Sequence, residues 1–159
     1  MGQQQLLLVI LVTILVGIAT VVAINVFGTA ADQANRDAVR QDLLGAVATA
    51  QALWERPGAM GGWGRGFEAD IDIRRLNIPR GSDLSSAYTE NSIVNDNGEY
   101  SVEGSGTGTS STITITGEPR SGGDDIVVTL NRTAADGDQP EGWAIVWTEG
   151  GTTTTPTTD

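Results

Sequence analysis

The sequence contains no cysteine, no histidine and no lysine. The missing cysteine excludes disulfides and thiolate metal ligands, and the missing histidine excludes imidazole ligands, Ser-His-Asp and Cys-His catalysis and a histidine pH switch. The missing lysine excludes covalent cross-links that begin from a lysine amine. A folded domain of this chain therefore depends on its hydrophobic core, or on neighbouring copies, for its stability.

Basic residues are scarce as well. The chain has 9 arginines against 20 acidic residues, which gives a formal net charge of −11, and every charged side chain follows Ala31. An acidic surface repels nucleic acid and keeps copies of a protein soluble, so we expect no nucleic-acid partner. An acid-rich composition without lysine is typical of proteins that work in high salt, and it can equally result from a G+C-rich genome.

What the sequence does have is a long apolar run at its start. Between Leu6 and Ile24 only three side chains are not aliphatic, namely Thr13, Gly17 and Thr20. About 20 residues in a helix span roughly 30 Å, the thickness of a bilayer core. The run is rich in β-branched residues, but strands of that length without turns are not found, so its length predicts a helix. Such a helix lies in lipid or packs against copies of itself.

A cleaved signal peptide is an alternative for this run, with a small-residue cleavage site at Ala30. Signal peptides begin with basic residues and carry 7–15 apolar residues. Here the first residues are uncharged and the apolar stretch is longer, so we favour a retained helix. Thr13 and Gly17 stand four residues apart, a spacing that lets helices approach closely, although an ordinary membrane span can carry such a pair by chance.

The helical pattern continues past the apolar run as a stripe on one face. At 100° per residue the apolar side chains fall within a sector of about 120°. These are Val39, Leu43, Ala46, Val47, Ala50, Leu53 and Trp54. Pro57 and Gly58 then end the helix. The pattern predicts one helix from about Gly2 to Glu55, apolar first and amphipathic later.

Residues 58–66 form a glycine-dense loop. It lacks the lysine of a phosphate-binding loop, so we interpret it as an irregular segment anchored by Met60, Trp63 and Phe67. Residues 69–78 alternate weakly and predict a short strand or extended segment. Four clearer strands follow at 99–103, 111–116, 126–131 and 143–148.

These patterns predict an α+β fold, with the long helix packed on a small antiparallel sheet of about four strands. We divide the chain into a spine helix (1–56, apolar over 6–27), a β-rich head (57–149) and a threonine-rich tail (150–159) that is disordered or trails along a sheet edge.

Few residues suggest chemistry. Asp124, Asp125 and the acidic turns at 95–97 and 136–138 could ligate calcium through oxygen, but solvated turns are commoner and none matches an EF-hand. We therefore expect no metal, no cofactor and no enzyme activity. Asn131 begins an Asn-Arg-Thr sequon and is a candidate glycosylation site. Trp143 and Trp147 share one strand face, which favours core packing over a sugar-stacking platform.

The start of the chain, Gly2-Gln3-Gln4-Gln5-Leu6-Leu7-Leu8, together with the apolar run and the later stripe, resembles the type IV pilin superfamily, with archaeal-pilin-like features. The resemblance covers about the first 56 residues, and the head is similar in architecture only. It implies a peptidase cut between Gly2 and Gln3, followed by assembly of subunits into a filament. The glutamate that such pilins carry near this junction is absent, and the uncut chain is an alternative assembling species.

The resemblance and the pattern together lead to one functional hypothesis. In this hypothesis the chain is a structural subunit that polymerises with copies of itself into an extracellular helical filament with acidic heads outside. Before assembly it is inserted in the cytoplasmic membrane, and a pilus assembly machinery helps it to polymerise. The expected polymerisation residues are Leu6, Leu7, Leu8, Ile10, Thr13, Ile14, Gly17, Val21, Ile24 and Phe27, and the expected head-packing residues are Val39, Leu43, Val47, Leu53 and Trp54. The alternative is a membrane-anchored extracytoplasmic binding domain or a secretion-system pseudopilin.

Overall fold

The computed structural model describes residues 2–67, 71–81, 91–133 and 141–154. Helix α1 spans Gly2–Glu55. An antiparallel sheet follows, with strands β1 (Ser92–Val94), β2 (Gly98–Ser105), β3 (Thr112–Pro119), β4 (Ile126–Thr133), β5 (Gly142–Glu149) and β6 (Thr152–Thr154). The α+β prediction is confirmed. The residues form two compact units, Met1–Ala34 and Asn35–Asp159.

Helix α1 ends where the sequence predicts. Pro57 disfavours helical geometry at Arg56, and Gly61 turns the chain back with a left-handed φ of 78°. The Met60 amide donates to the Pro57 carbonyl inside a short 3₁₀ turn. The glycine-dense loop thus begins with a helix-terminating turn.

The sheet is a simple meander in which each strand pairs with the next along the chain, in the order β1 to β6. In β3, Ile113 and Ile115 are fully buried, while the threonines that alternate with them (Thr112, Thr114 and Thr116) face outward. Ile113 pairs with Leu130 of β4, which is also fully buried. Strict alternation of this kind buries one face of the strand.

The prediction of about four strands was too low. The four long strands overlap the four predicted ones, and β1 and β6 add three residues each at the two edges. Residues 71–78 form no strand. Instead Asp72 accepts a hydrogen bond from the Arg74 amide and caps a 3₁₀ turn at Ile73–Arg75, and residues 69–70 lie outside the described part of the chain.

The core of the second unit lies between the later part of α1 and the sheet. All seven residues of the apolar stripe are buried. The helix lies close to the sheet at Gly117 of β3, where an added Cβ would lie 2.7 Å from Val39 Cγ1. The absent side chain at Gly117 therefore sets how closely the helix lies on the sheet.

The loop after α1 has fewer anchors than expected. Phe67 is fully buried, and Trp63 is half-buried with its ring 5.5 Å from that of Phe67. Met60 is 72 % exposed, so its prediction as an anchor was wrong. It lies in the 3₁₀ turn, where the chain is still leaving the helix and has not reached the sheet.

Candidate functional site

The most distinctive surface of the molecule is the first half of α1. Its large apolar side chains are all exposed, from 48 % at Ile10 to 74 % at Phe27. This helix is long and apolar enough to cross a membrane, and it lies near the N-terminus. Exposed apolar surface on this scale marks an interaction site with lipid or protein. The polymerisation residues expected from the sequence, Leu6 to Phe27, lie on it.

The hydroxyls of Thr13 and Thr20 on this surface are satisfied within the helix. The Thr13 hydroxyl donates to the carbonyls of Val9 and Ile10, and the Thr20 hydroxyl donates to that of Val16. A hydroxyl that bonds its own helix needs no water, so these threonines are compatible with lipid or a dry protein interface. Apart from the backbone of its own helical turns, no atom of the described residues lies within 4 Å of the Cβ position of Gly17, so this glycine has no packing role in the described part of the subunit.

Gly2 and Gln3, the candidate processing pair, begin α1, and the first helical turn contains no acidic residue. A helix N-terminus carries unpaired amides and a partial positive charge. The neighbouring glutamines offer only neutral acceptors to it.

In the second unit, a polar cluster joins α1 to the turn between β1 and β2. Asp42 Oδ2 accepts hydrogen bonds from Asn95 Nδ2 at 3.0 Å, Asn97 Nδ2 at 3.0 Å and Tyr100 Oη at 2.7 Å. Burial and the hydrogen bond to Asp42 raise the pKa of Tyr100 above its ordinary value. Sequence reasoning missed this cluster, whose only signal is a carboxylate beside the apolar stripe.

Residues 95–97 of this turn were predicted as candidate calcium ligands. The Asn95 carbonyl oxygen Oδ1 instead accepts hydrogen bonds from the amides of Asn97 and Gly98, which closes the turn. Asp124 and Asp125 are exposed in the β3–β4 turn, and Asp136 and Asp138 lie outside the described residues. Within the described part of the chain, no three carboxylates cluster as a metal site.

An ionic contact lies at the same end of the sheet. Glu149 at the end of β5 accepts hydrogen bonds from Arg40 Nε at 2.6 Å and from Arg40 Nη2 at 2.8 Å, and Arg40 also pairs with Asp37. The hydrogen bond from Arg40 lowers the pKa of Glu149 below its ordinary value of 4.5. A bidentate pair of this kind fixes the helix against the β5–β6 turn.

The opposite end of the sheet holds an aromatic and arginine cluster. Trp54 packs edge-on against Trp143, with 5.1 Å between ring centroids. The Arg132 guanidinium lies beside both rings, 4.9 Å from the centroid of Trp54 and 5.3 Å from that of Trp143. Trp143, Ile145 and Trp147 share the core-facing side of β5 and are half-buried. They pack against the core, which the sequence favoured over a sugar platform.

Asn131 lies within β4, where its Oδ1 accepts a hydrogen bond from the Thr112 hydroxyl at 2.8 Å. The candidate acceptor is therefore on the outer face of a central strand.

Comparison with protein-family models, curated proteins and solved structures finds no match. The architecture of a long N-terminal apolar helix followed by an antiparallel sheet is compatible with a pilin-like fold.

Proposed function

We propose that this protein is a pilin-like structural subunit that polymerises through the first half of α1 into an extracellular filament. One observation carries the proposal: α1 is a single helix whose first half is exposed and apolar and whose second half is built into the core of the head. A simple membrane anchor has no need to continue into the domain that it holds.

The polymer would bury the apolar half of each α1 against other copies and leave the acidic heads outside. Such burial removes apolar surface worth on the order of tens of kcal/mol per subunit from water. Lipid offers nearly the same burial, so the net gain on leaving the membrane comes from packing and from contacts between heads. Close packing requires small residues, which gives Gly17 and Thr13 a role in the polymer.

Substitutions at Gly17 separate the polymer from a membrane-anchored binding domain. Alanine and leucine both favour a helix more than glycine does, so a lone anchor tolerates Gly17→Ala and Gly17→Leu equally. In a polymer, we expect filament yield to survive Gly17→Ala and to fall sharply with Gly17→Leu. The readout is electron microscopy of surface material sheared from producing cells, normalised to total subunit.

Processing is measured on the same material. Mass spectrometry of the mature chain shows whether it begins at Gln3, which is the outcome of a cut after Gly2. It also shows whether Asn131 carries sugar.

A further inference from the structure

We propose that successive heads in the filament make an ionic head-to-tail contact, in which arginines at one end of the sheet meet carboxylates at the other end of a second copy of the chain. This inference rests on the proposed polymer. It adds a specific contact between heads to the packing of apolar helices.

The sheet has two chemically different ends. We call the end with residues 95–98, 119–125 and 149–152 the turn end, and the end with residues 56–67, 105–112 and 142–143 the loop end. Strands β2 to β5 have 8 residues each and connect the two ends, which therefore lie roughly 25 Å apart. All of these residues belong to the second unit.

The loop end presents guanidinium groups. Arg65 lies 5.8 Å from the centroid of Trp54, Arg75 lies 5.6 Å from that of Trp63, and Arg56 is exposed beside them. None of the three forms an ion pair with a carboxylate in the described part of the chain, although Arg75 Nη2 donates to the Gly61 carbonyl. A guanidinium held over a ring loses little freedom on binding, and its planar N–H groups match a carboxylate.

Unpaired donors also lie at this end. Trp54 Nε1, Trp63 Nε1 and Arg132 Nε are buried without an acceptor among the described residues. A partner that brings oxygen acceptors fits this end better than one that brings donors.

The turn end presents carboxylates. Five are exposed and form no ion pair among the described residues: Asp96, Glu99, Glu118, Asp124 and Asp125. Glu99 and Glu118 stand directly opposite each other on β2 and β3. Like charges in that arrangement repel, and an incoming guanidinium would relieve the repulsion.

Complementarity between the two ends identifies the partner as a second copy, because each chain carries both halves of the contact. A contact between different patches of identical subunits is heterologous and does not close on itself unless it forms a ring. Made end to end, it leaves one free end on each copy and therefore suits a helical polymer.

Cysteine cross-linking tests the contact, because the native chain has no cysteine. The double variant Arg65→Cys/Asp125→Cys places one thiol at each end, too far apart for an internal disulfide. We expect oxidised filaments of this variant to give a ladder of multimers on a denaturing gel, and each single variant to give none. Arg80 lies beside the turn end, because the Asn95 side chain donates to the Pro79 carbonyl and the Gly81 amide donates to the Val94 carbonyl. The control Arg80→Cys/Asp125→Cys therefore has both thiols at that end and should give no ladder.

The outcomes separate the two proposals. Filaments that form normally but give no ladder contradict the head-to-tail contact and leave the proposed polymer intact. If the unaltered chain forms no filament at all, the proposed function itself fails.

Charge reversal provides a second test. We expect Arg65→Glu/Arg75→Glu to lower filament yield about tenfold, and a further Asp124→Arg/Asp125→Arg change in the same chain to restore it. The comparison variant Arg80→Glu/Arg120→Glu changes the net charge equally, but it keeps the guanidinium groups of the loop end and adds carboxylates at the turn end, so its yield should not fall. Equal losses in both variants would show a general charge effect and overturn the contact. Tryptophan fluorescence confirms that each variant is folded.

Discussion

At the residue scale, the closeness of α1 to the sheet depends on a missing side chain. A Cβ at position 117 would lie 2.7 Å from Val39 Cγ1 and 3.3 Å from Leu43 Cδ1. We expect Gly117→Ala to lower the free energy of unfolding by about 1–3 kcal/mol, because the helix must shift.

The matched control for this variant is Gly45→Ala, on the exposed side of α1. Nothing lies within 4 Å of that Cβ position, so alanine should raise stability by about 0.5–1 kcal/mol through helix propensity. Thermal unfolding of the full chain in mild detergent, followed by tryptophan fluorescence, measures both, since all four tryptophans lie in the second unit. Two changes of the same sign would contradict this account of Gly117.

Asp42 is the second residue that holds α1 in place. Asp42→Ala leaves three donors without their acceptor and should cost about 2–4 kcal/mol, whereas Tyr100→Phe removes one hydrogen bond and should cost about 1 kcal/mol. In the double variant, the cost should be less than the sum of the two, because both changes remove the same contact. Additive costs, measured by denaturant titration, would show that the cluster does not act as a unit.

Some of the residues that hold α1 on the sheet could be predicted from the sequence, and others could not. The apolar stripe could be predicted because apolar residues that recur about every 3.6 positions are visible within the sequence of one helix. The only signal of Asp42 is its place beside the apolar stripe, and Arg132 has none, since the partners of both are distant in sequence and only the folded sheet brings them together. The prediction of Met60 as a loop anchor was wrong because an apolar residue in a loop can also be exposed.

At the element scale, long regular segments were predictable and short ones were not. Helix α1 and strands β2 to β5 each contain enough residues to show a period and a terminating signal. Strands β1 and β6 have three residues each, too few for alternation. The 3₁₀ turn at Ile73–Arg75 depends on a local cap by Asp72, which competes with weak alternation.

The contact between α1 and the β5–β6 turn should depend on pH. The pKa of Glu149 is lowered from 4.5 by Arg40, so its stabilising effect is fully present above 4.5 and is lost as pH falls through the lower folded-state value. We expect Glu149→Gln to cost about 0.5–1 kcal/mol at neutral pH and progressively less as the pH falls below 4.5.

The control for this prediction is Glu103→Gln, an exposed glutamate on β2 without an arginine partner among the described residues. It should change stability little at neutral or acid pH. A Glu149→Gln effect that persists in acid would show that the side chain acts through packing rather than through its charge.

At the scale of the whole molecule, the chain combines an uncharged apolar helix with a strongly acidic remainder. The net charge of −11 arises entirely after Ala31, so neighbouring heads in a polymer repel one another. Assembly therefore needs both the removal of the apolar helix from water and a way to reduce this repulsion.

Filament assembly should accordingly depend on salt. The screening length falls from about 30 Å at 0.01 M to about 3 Å at 1 M salt, so long-range repulsion between heads weakens strongly. We expect the polymerised fraction, measured by sedimentation after detergent removal, to rise between 0.01 M and 0.15 M salt, where a screening length of about 8 Å still spares the close head-to-tail ion pairs. A fraction that falls steadily with salt would mean that attractive ion pairs, not net charge, dominate assembly.

The central claim is that copies of this chain assemble through the first half of α1. Electron cryo-microscopy of filaments sheared from producing cells tests it most directly. The account predicts a helical polymer of this chain with residues 6–27 packed together at the centre and the sheets outside. Recovery of the chain only as single copies in the membrane, with no filament that contains it, would contradict the account.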